Sequence, residues 1–202
     1  MIKDQLFYQE AYRGENMQKI IFITGGARSG KSTLAEKKAK EIGQNIVYIA
    51  TGLAFDEGMK DRIKKHKESR PKEWSTIEQY KDFHYLDTNK NFLNADTVLL
   101  DCVTLMVSNL LIENDLDFEN TTIDEITKIE SRIFSELNTL INLIERYNKN
   151  LIVVTNEIGM GLVPPYRLGR VFRDMAGRAN QYLAGKAHEV YFTVSGIPMK
   201  IK

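Results

Sequence analysis

An α/β protein with a mostly parallel sheet, helices on both faces and a single domain is the fold class this sequence predicts. Three observations predict it. Short apolar runs alternate with amphipathic helical stretches, the order that builds strand–helix–strand units. A glycine-rich turn, Gly25-Gly26-Ala27-Arg28-Ser29-Gly30-Lys31-Ser32, separates the first apolar run from the first helical stretch. The 202 residues suffice for a core without cross-links, and the single cysteine, Cys102, excludes an intrachain disulfide.

The elements follow in order. Lys19–Thr24 reads as a strand, and a helix runs from about Lys31 to Ile42, where Gly43 ends it. Ile46–Ile49 is the second strand and leads into Ala50-Thr51-Gly52. A short helix covers Asp56 to about Lys67 and stops near Ser69-Arg70-Pro71, because a residue before proline avoids helical geometry. Trp74–Glu78 reads as a short strand, and Thr97–Asp101 as a buried one ending in an acid. Ile126, Ile129, Ile133, Leu137, Leu140 and Ile144 form a core-facing stripe along a helix from Asp124 to Tyr147. Leu151–Val154 is a strand, Arg167–Ala187 a helix and Glu189–Ser195 the final strand. No repeat, low-complexity tract or Pro/Gly-rich linker interrupts this series.

Bulk properties exclude several classes. A formal net charge of +1, without a sustained basic stripe or aromatic platform, argues against a nucleic-acid partner. No apolar run approaches the ~20 residues that span a bilayer. One cysteine suits a reducing cytoplasm, the expected location. Residues 1–16 carry Asp4, Glu10 and Glu15 and lack the basic-then-apolar order of a signal peptide. They are expected to be an extension, non-native if translation starts at Met17: Arg13-Gly14-Glu15, in purine-rich codons, resembles a ribosome-binding sequence. The working domain is then 17–202.

The glycine-rich turn carries the plainest chemistry. G-x-x-x-x-G-K-[ST] between strand and helix is a phosphate-binding loop, whose backbone N–H groups curl around phosphate oxygens. Lys31 has the reach for β- and γ-phosphates, and the Ser32 hydroxyl is a Mg²⁺ ligand in such loops. Asp101 stands where a second acid holds the metal or accepts a proton; as an alternative, it caps the helix that begins near Val103. On the Asp56–Lys67 helix, Met59, Ile63 and His66 share a face, with Lys64, Lys65, Lys67 and Arg70 close in sequence. His66 is either a half-buried structural histidine or an imidazole aimed at a nucleotide phosphorus. Thr155-Asn156-Glu157 follows a strand, where ligands bind in open α/β sheets. Arg167, Arg170, Arg173 and Arg178 suit a solvated face, phosphate contacts or a subunit interface. His84, in a polar loop, and His188 read as structural.

Further blocks make a family visible. They are Tyr48-Ile49-Ala50-Thr51, Arg62-Ile63-x-x-His66-Lys67-x-x-Arg70-Pro71 and Thr155-Asn156-Glu157-x-Gly159-Met160-Gly161-x-Val163-Pro164. Phe172-Arg173-Asp174-x-Ala176-Gly177-Arg178-x-Asn180-Gln181 and Val194-Ser195-Gly196-Ile197 continue the series. From Lys19 to Lys202 the chain resembles the bifunctional adenosylcobinamide kinase/adenosylcobinamide-phosphate guanylyltransferases of cobalamin biosynthesis.

The resemblance implies a P-loop NTPase fold of RecA-like arrangement. It implies phosphorylation of the aminopropanol hydroxyl of adenosylcobinamide by ATP or GTP with Mg²⁺, then GMP transfer from GTP through a guanylylated His66. Lys31 and His66 are the implied catalytic residues. Nucleotide contacts are implied at Gly25–Ser32, at Ala50, Thr51 and Gly52, at Lys67, Glu68, Ser69 and Arg70, and at Glu78 and Asp101; Ser32 and Asp101 would ligate the metal. Two positions depart from the pattern: Lys65 replaces a frequent second histidine, and Asp101 replaces a common glutamate. A trimer is also implied. A single-activity P-loop kinase with a structural His66 is the rival, and a nucleotide-gated module without turnover is a second.

Overall fold

The structure is a computed structural model that describes residues 18–54 and 57–202, with backbone alone for Met59, Arg62, Ile63, Lys65, His66 and Ser69. The expectation for residues 1–16 lies outside the described residues, as does the expected role of Met59, Ile63 and His66 side chains on one helical face.

A seven-stranded sheet forms the body, in the order β3-β2-β4-β5-β1-β6-β7. The strands are β1 (Ile20–Gly25), β2 (Ile46–Ala50), β3 (Ser75–Glu78), β4 (Thr97–Asp101), β5 (Asn150–Val154), β6 (Glu189–Val194) and β7 (Ile197–Lys200). All neighbours are parallel except β7, which returns antiparallel to β6. The helices are α1 (Lys31–Ile42), α2 (Glu57–Ser69), α3 (Lys90–Asn94), α4 (Val103–Ile112), α5 (Ile123–Arg146) and α6 (Arg167–Lys186), with a 3₁₀ turn at Phe83–Thr88.

The central strands are apolar throughout because both faces are covered. Ile21 and Ile23 of β1, Ile46 and Tyr48 of β2 and Leu99 of β4 pack with Ala35 and Ala39 of α1. Their neighbours Phe22, Val47, Ile49, Val98 and Leu100 face the opposite layer of α4, α5 and α6. The stripe expected on α5 is buried there from Ile129 to Ile144, with Ile126 partly buried, and Thr122 and Glu125 close its N-terminus with a reciprocal capping box.

The expected elements recur with ends displaced by a residue or two. The stop at Ser69 before Arg70-Pro71 is found as expected. Three features differ. β7 was not expected: all four residues are exposed and one is Pro198, so no apolar alternation marks it. His84 sits in the 3₁₀ turn rather than an irregular loop. The short α3, whose Phe92 is wholly buried, has no counterpart among the expected elements. His188 is structural as expected, its Nδ1 accepting the Ile20 N–H at 3.0 Å.

Candidate nucleotide site

Strands β2, β3, β4, β5 and β1 end on one edge of the sheet, and the phosphate loop grows from β1 at that edge. Gly25 is required by close approach: a Cβ there would meet the backbone carbonyl of Thr193 and lie 2.6 Å from Thr193 Oγ1. The hydroxyls of Ser29 and Thr193 are 2.8 Å apart, and the Gly196 N–H donates to the Ser29 carbonyl at 3.0 Å. Gly30 enters α1 at φ 93°, a left-handed conformation natural to glycine. Its α-carbon faces Gly196, where an added Cβ would stand 3.2 Å from the Gly196 Cα. Ser195 and Gly196 form a two-residue hairpin turn with φ of 50° and 84°, the double positive that such turns require. The β6–β7 hairpin therefore props the loop from below.

Lys31 opens α1 and is 7% exposed, with Nζ donating to the Gly26 carbonyl at 2.5 Å. Its ammonium thus lies folded within the loop. The exposed Arg28, at φ 56°, forms the outer bend with Ala27.

Ser32 and Asp101 meet although β5 separates β1, from which the loop grows, from β4. Ser32 Oγ donates to Asp101 Oδ2 at 3.0 Å, and Tyr48 OH donates to the same oxygen at 2.7 Å. Burial, and next the Asp101 charge, push the Tyr48 phenol well above its ordinary pKa, so it remains a protonated donor. The alternative of Asp101 as a helix cap is corrected. Cys102 occupies the cap of α4, no side chain bonds there, and the carboxylate turns to Ser32 and Tyr48.

Ala50, Thr51, Gly52 and Glu78 line one cleft of about 340 Å³, joined by Leu53, Tyr80 and Tyr85. Ala50 pairs with Asp101 on one side and with Glu78 on the other. Thr51 is locked in place: its hydroxyl donates to the Cys102 carbonyl at 2.7 Å, and its carbonyl accepts from Asn109 at 2.7 Å. Burial pushes the Cys102 thiol up to about 12, so it packs as an inert group.

The end of α2 meets this cleft at Glu78 and meets the Asp101 group at Tyr48. Lys67 pairs with Glu78, and the Arg70 guanidinium lies 3.6 Å from the Tyr48 ring centroid. Arg70 Nε is buried without a hydrogen-bond partner among the described residues. Glu68 is exposed, and Ser69 and His66 are placed by backbone only, His66 directly before Lys67.

Asn156 and Glu157 follow β5. The Glu157 N–H donates to the Gly25 carbonyl at 2.9 Å. Thr155 Oγ1 donates to Asn180 Oδ1 at 2.8 Å, and the Asn156 N–H to Thr104 Oγ1 at 2.7 Å. These residues hold the loop's neighbour still. Two of the arginines prove to be loop ties, Arg167 on the Phe118 and Glu119 carbonyls and Arg170 on those of Pro164 and Pro165. Arg173 pairs with Asp174 and Arg178 with Glu130. A broad, shallow groove lined by Glu130, Phe134, Asn138 and Arg178 lies on α5 and α6 and contains none of the residues implied as catalytic, nucleotide-binding or metal-binding.

The sequence did not single out Tyr48, Thr193 or Gly196 as functional. Tyr48 stood in an apolar strand, with its hydroxyl's partner 53 residues away.

A glycine loop propped on a strand's end, a lysine inside it and a carboxylate beside its serine define a P-loop nucleotide-binding protein. The family model for cobinamide kinase / cobinamide phosphate guanyltransferase matches residues 21–201, and the chain belongs to that family. It is 44% identical over 186 residues to the bifunctional adenosylcobalamin biosynthesis protein CobU of Escherichia coli, covering 91% of this chain and 99% of that one. The protein of that name from Salmonella typhimurium is 44% identical over 187 residues, covering 91% and 99%. The bifunctional adenosylcobalamin biosynthesis protein CobP of Pseudomonas aeruginosa is 38% identical, covering 89% and 95%.

Proposed function

We propose that this protein phosphorylates the aminopropanol hydroxyl of adenosylcobinamide with ATP or GTP, then transfers GMP from GTP onto that phosphate through His66. Family membership supports the pair of activities. The observation that carries the proposal for one shared site is the junction at Asp101. There the phosphate loop arrives through Ser32 and the end of α2 through Arg70 and Tyr48.

In the first reaction the substrate hydroxyl attacks the γ-phosphorus. A new P–O bond forms, the bridging P–O bond breaks, and the nucleoside diphosphate leaves as the hydroxyl proton passes to water. The loop N–H groups and Lys31 oppose the growing negative charge. In the second, an imidazole nitrogen of His66 attacks the α-phosphorus and pyrophosphate leaves with the bonding pair. The cobinamide phosphate oxygen then attacks the same phosphorus, the P–N bond breaks, and adenosylcobinamide-GDP is released. Gly25–Ser32, Ala50-Thr51-Gly52, Lys67–Arg70 and Glu78 hold the nucleotide in this scheme, and the Glu78 carboxylate accepts N–H or hydroxyl donors of base or ribose.

A hydroxyl and a carboxylate oxygen 3.0 Å apart, Ser32 and Asp101, are the hard oxygen donors that Mg²⁺ takes. When bound, the ion screens the triphosphate charge. Among the described residues no helix is long and apolar enough to cross a membrane, and a cytoplasmic location is part of the proposal. Exposed Met160, Leu162, Val163 and Tyr166 after β5, and Ile197 and Met199 on β7, support self-association, and the family resemblance makes the proposed assembly a trimer.

GTP labelled at its α-phosphate tests the scheme. Wild type is expected to take up an acid-labile label, and His66→Ala to lose it while still phosphorylating adenosylcobinamide. Absence of label under turnover overturns the transferase step in favour of a single-activity kinase. Loss of both activities in a folded His66→Ala variant overturns the separation of roles.

A further inference from the structure

We infer that Tyr48 is a positioning residue of the nucleotide site, its hydroxyl orienting the Asp101 carboxylate while its ring face seats the Arg70 guanidinium. The inference rests on the proposed roles of Asp101 and Arg70. Tyr48 is 3% exposed on β2, among Ile21, Ile23, Ile46 and Leu99. A phenylalanine would fill that space equally well, so packing alone gives no reason for a hydroxyl. A buried hydroxyl needs a partner, and this one finds Asp101 Oδ2 at 2.7 Å. That oxygen also receives Ser32 at 3.0 Å, so Tyr48 fixes the carboxylate rotamer from the side opposite the phosphate loop.

The ring performs a second task. Arg70 lies with its guanidinium carbon 3.6 Å from the ring centroid, in cation–π range. Its Nη1 also makes a long 3.5 Å approach to Thr76 Oγ1, and its Nε has no hydrogen-bond partner among the described residues. Stacking therefore sets the plane of the guanidinium and leaves an N–H donor unused. One buried side chain thus couples an acid at the end of β4 to a cation just beyond α2. A carboxylate and a planar cation held at fixed separation suit a metal-bound triphosphate, the acid toward the metal and the arginine toward phosphate oxygens.

Titration of Mg²⁺ into protein with a fluorescent GTP analogue, read as nucleotide binding, tests the inference. Tyr48→Phe keeps the ring and removes the hydroxyl; it is expected to raise the half-saturating Mg²⁺ concentration about 5- to 10-fold. Tyr48→Leu removes both functions and is expected to weaken nucleotide binding further, to the level of Arg70→Ala. Asp101→Asn is the reference. If Asp101→Asn leaves the Mg²⁺ curve in place, the proposed role of Asp101 fails and the inference falls with it. If Asp101→Asn shifts the curve and Tyr48→Phe does not, the inference alone is overturned. Should Tyr48→Phe melt early, the double-mutant cycle with Asp101→Asn, read below both melting points, decides: coupled effects support it and additive effects overturn it.

Discussion

The phosphate loop and the end of helix α2, which converge on Asp101 through Ser32 and through the Arg70–Tyr48 stack, are held by opposite means. The loop at Gly25–Ser32 is held from within, by Thr193, Gly196 and the Gly25–Glu157 backbone bond, each joining it to a strand end or a hairpin. Among the described residues, the segment ending at Arg70 is tied by an ion pair between exposed Lys67 and Glu78, by the stack on Tyr48 and by a long approach to Thr76. Close packing and buried hydroxyl bonds resist displacement; an exposed ion pair in water contributes little. The difference suits the two tasks. Under the proposed scheme, a loop that cradles phosphates gains from fixed donors, and the segment that carries His66 gains from lighter ties.

Substitutions that exchange rigid and soft attachments sharpen this contrast. Gly25→Ala places a methyl against the Thr193 carbonyl and Oγ1, and backbone must shift to admit it. We expect a loss of about 2–4 kcal/mol in denaturant unfolding and no measurable nucleotide binding. Thr193→Val keeps the shape but leaves Ser29 without its 2.8 Å partner. A loss of about 1–2 kcal/mol is expected, with weaker binding of ATP and GTP alike by calorimetry. Lys67→Ala is expected to change stability by no more than about 0.5 kcal/mol in the same unfolding assay. Under the proposed scheme it slows guanylyl labelling more than phosphorylation. A Lys67→Ala variant as destabilised as Thr193→Val would break the comparison.

Legibility in the sequence followed physical cause. The strands buried on both faces, such as Leu151–Val154, are continuous apolar runs and were readable as such. The phosphate loop was readable because its glycines answer to local backbone demands. Asp101 was readable as an acid at a strand end, but its choice between capping and site depended on Ser32 and Tyr48, which lie 69 and 53 residues away. β7 escaped because an exposed edge strand has no buried face to impose a pattern. Its one signal was local: Ser195-Gly196 between two short runs is a hairpin turn. Tyr48 escaped for the opposite reason, since a buried tyrosine in a strand looks like core until its hydroxyl's partner is located.

The hairpin beneath the loop has a consequence for how the protein is made. Ser29 leaves the ribosome early, but the threonine that braces it is 164 residues downstream. A contact of such sequence separation forms late, after much of the loop-closure entropy has been lost. During synthesis the phosphate loop therefore exists for most of translation as an unbraced turn. We expect a chain truncated before that hairpin to bind GTP more weakly than the full chain, read by calorimetry, because Ser29 then lacks Thr193 and the Gly196 N–H.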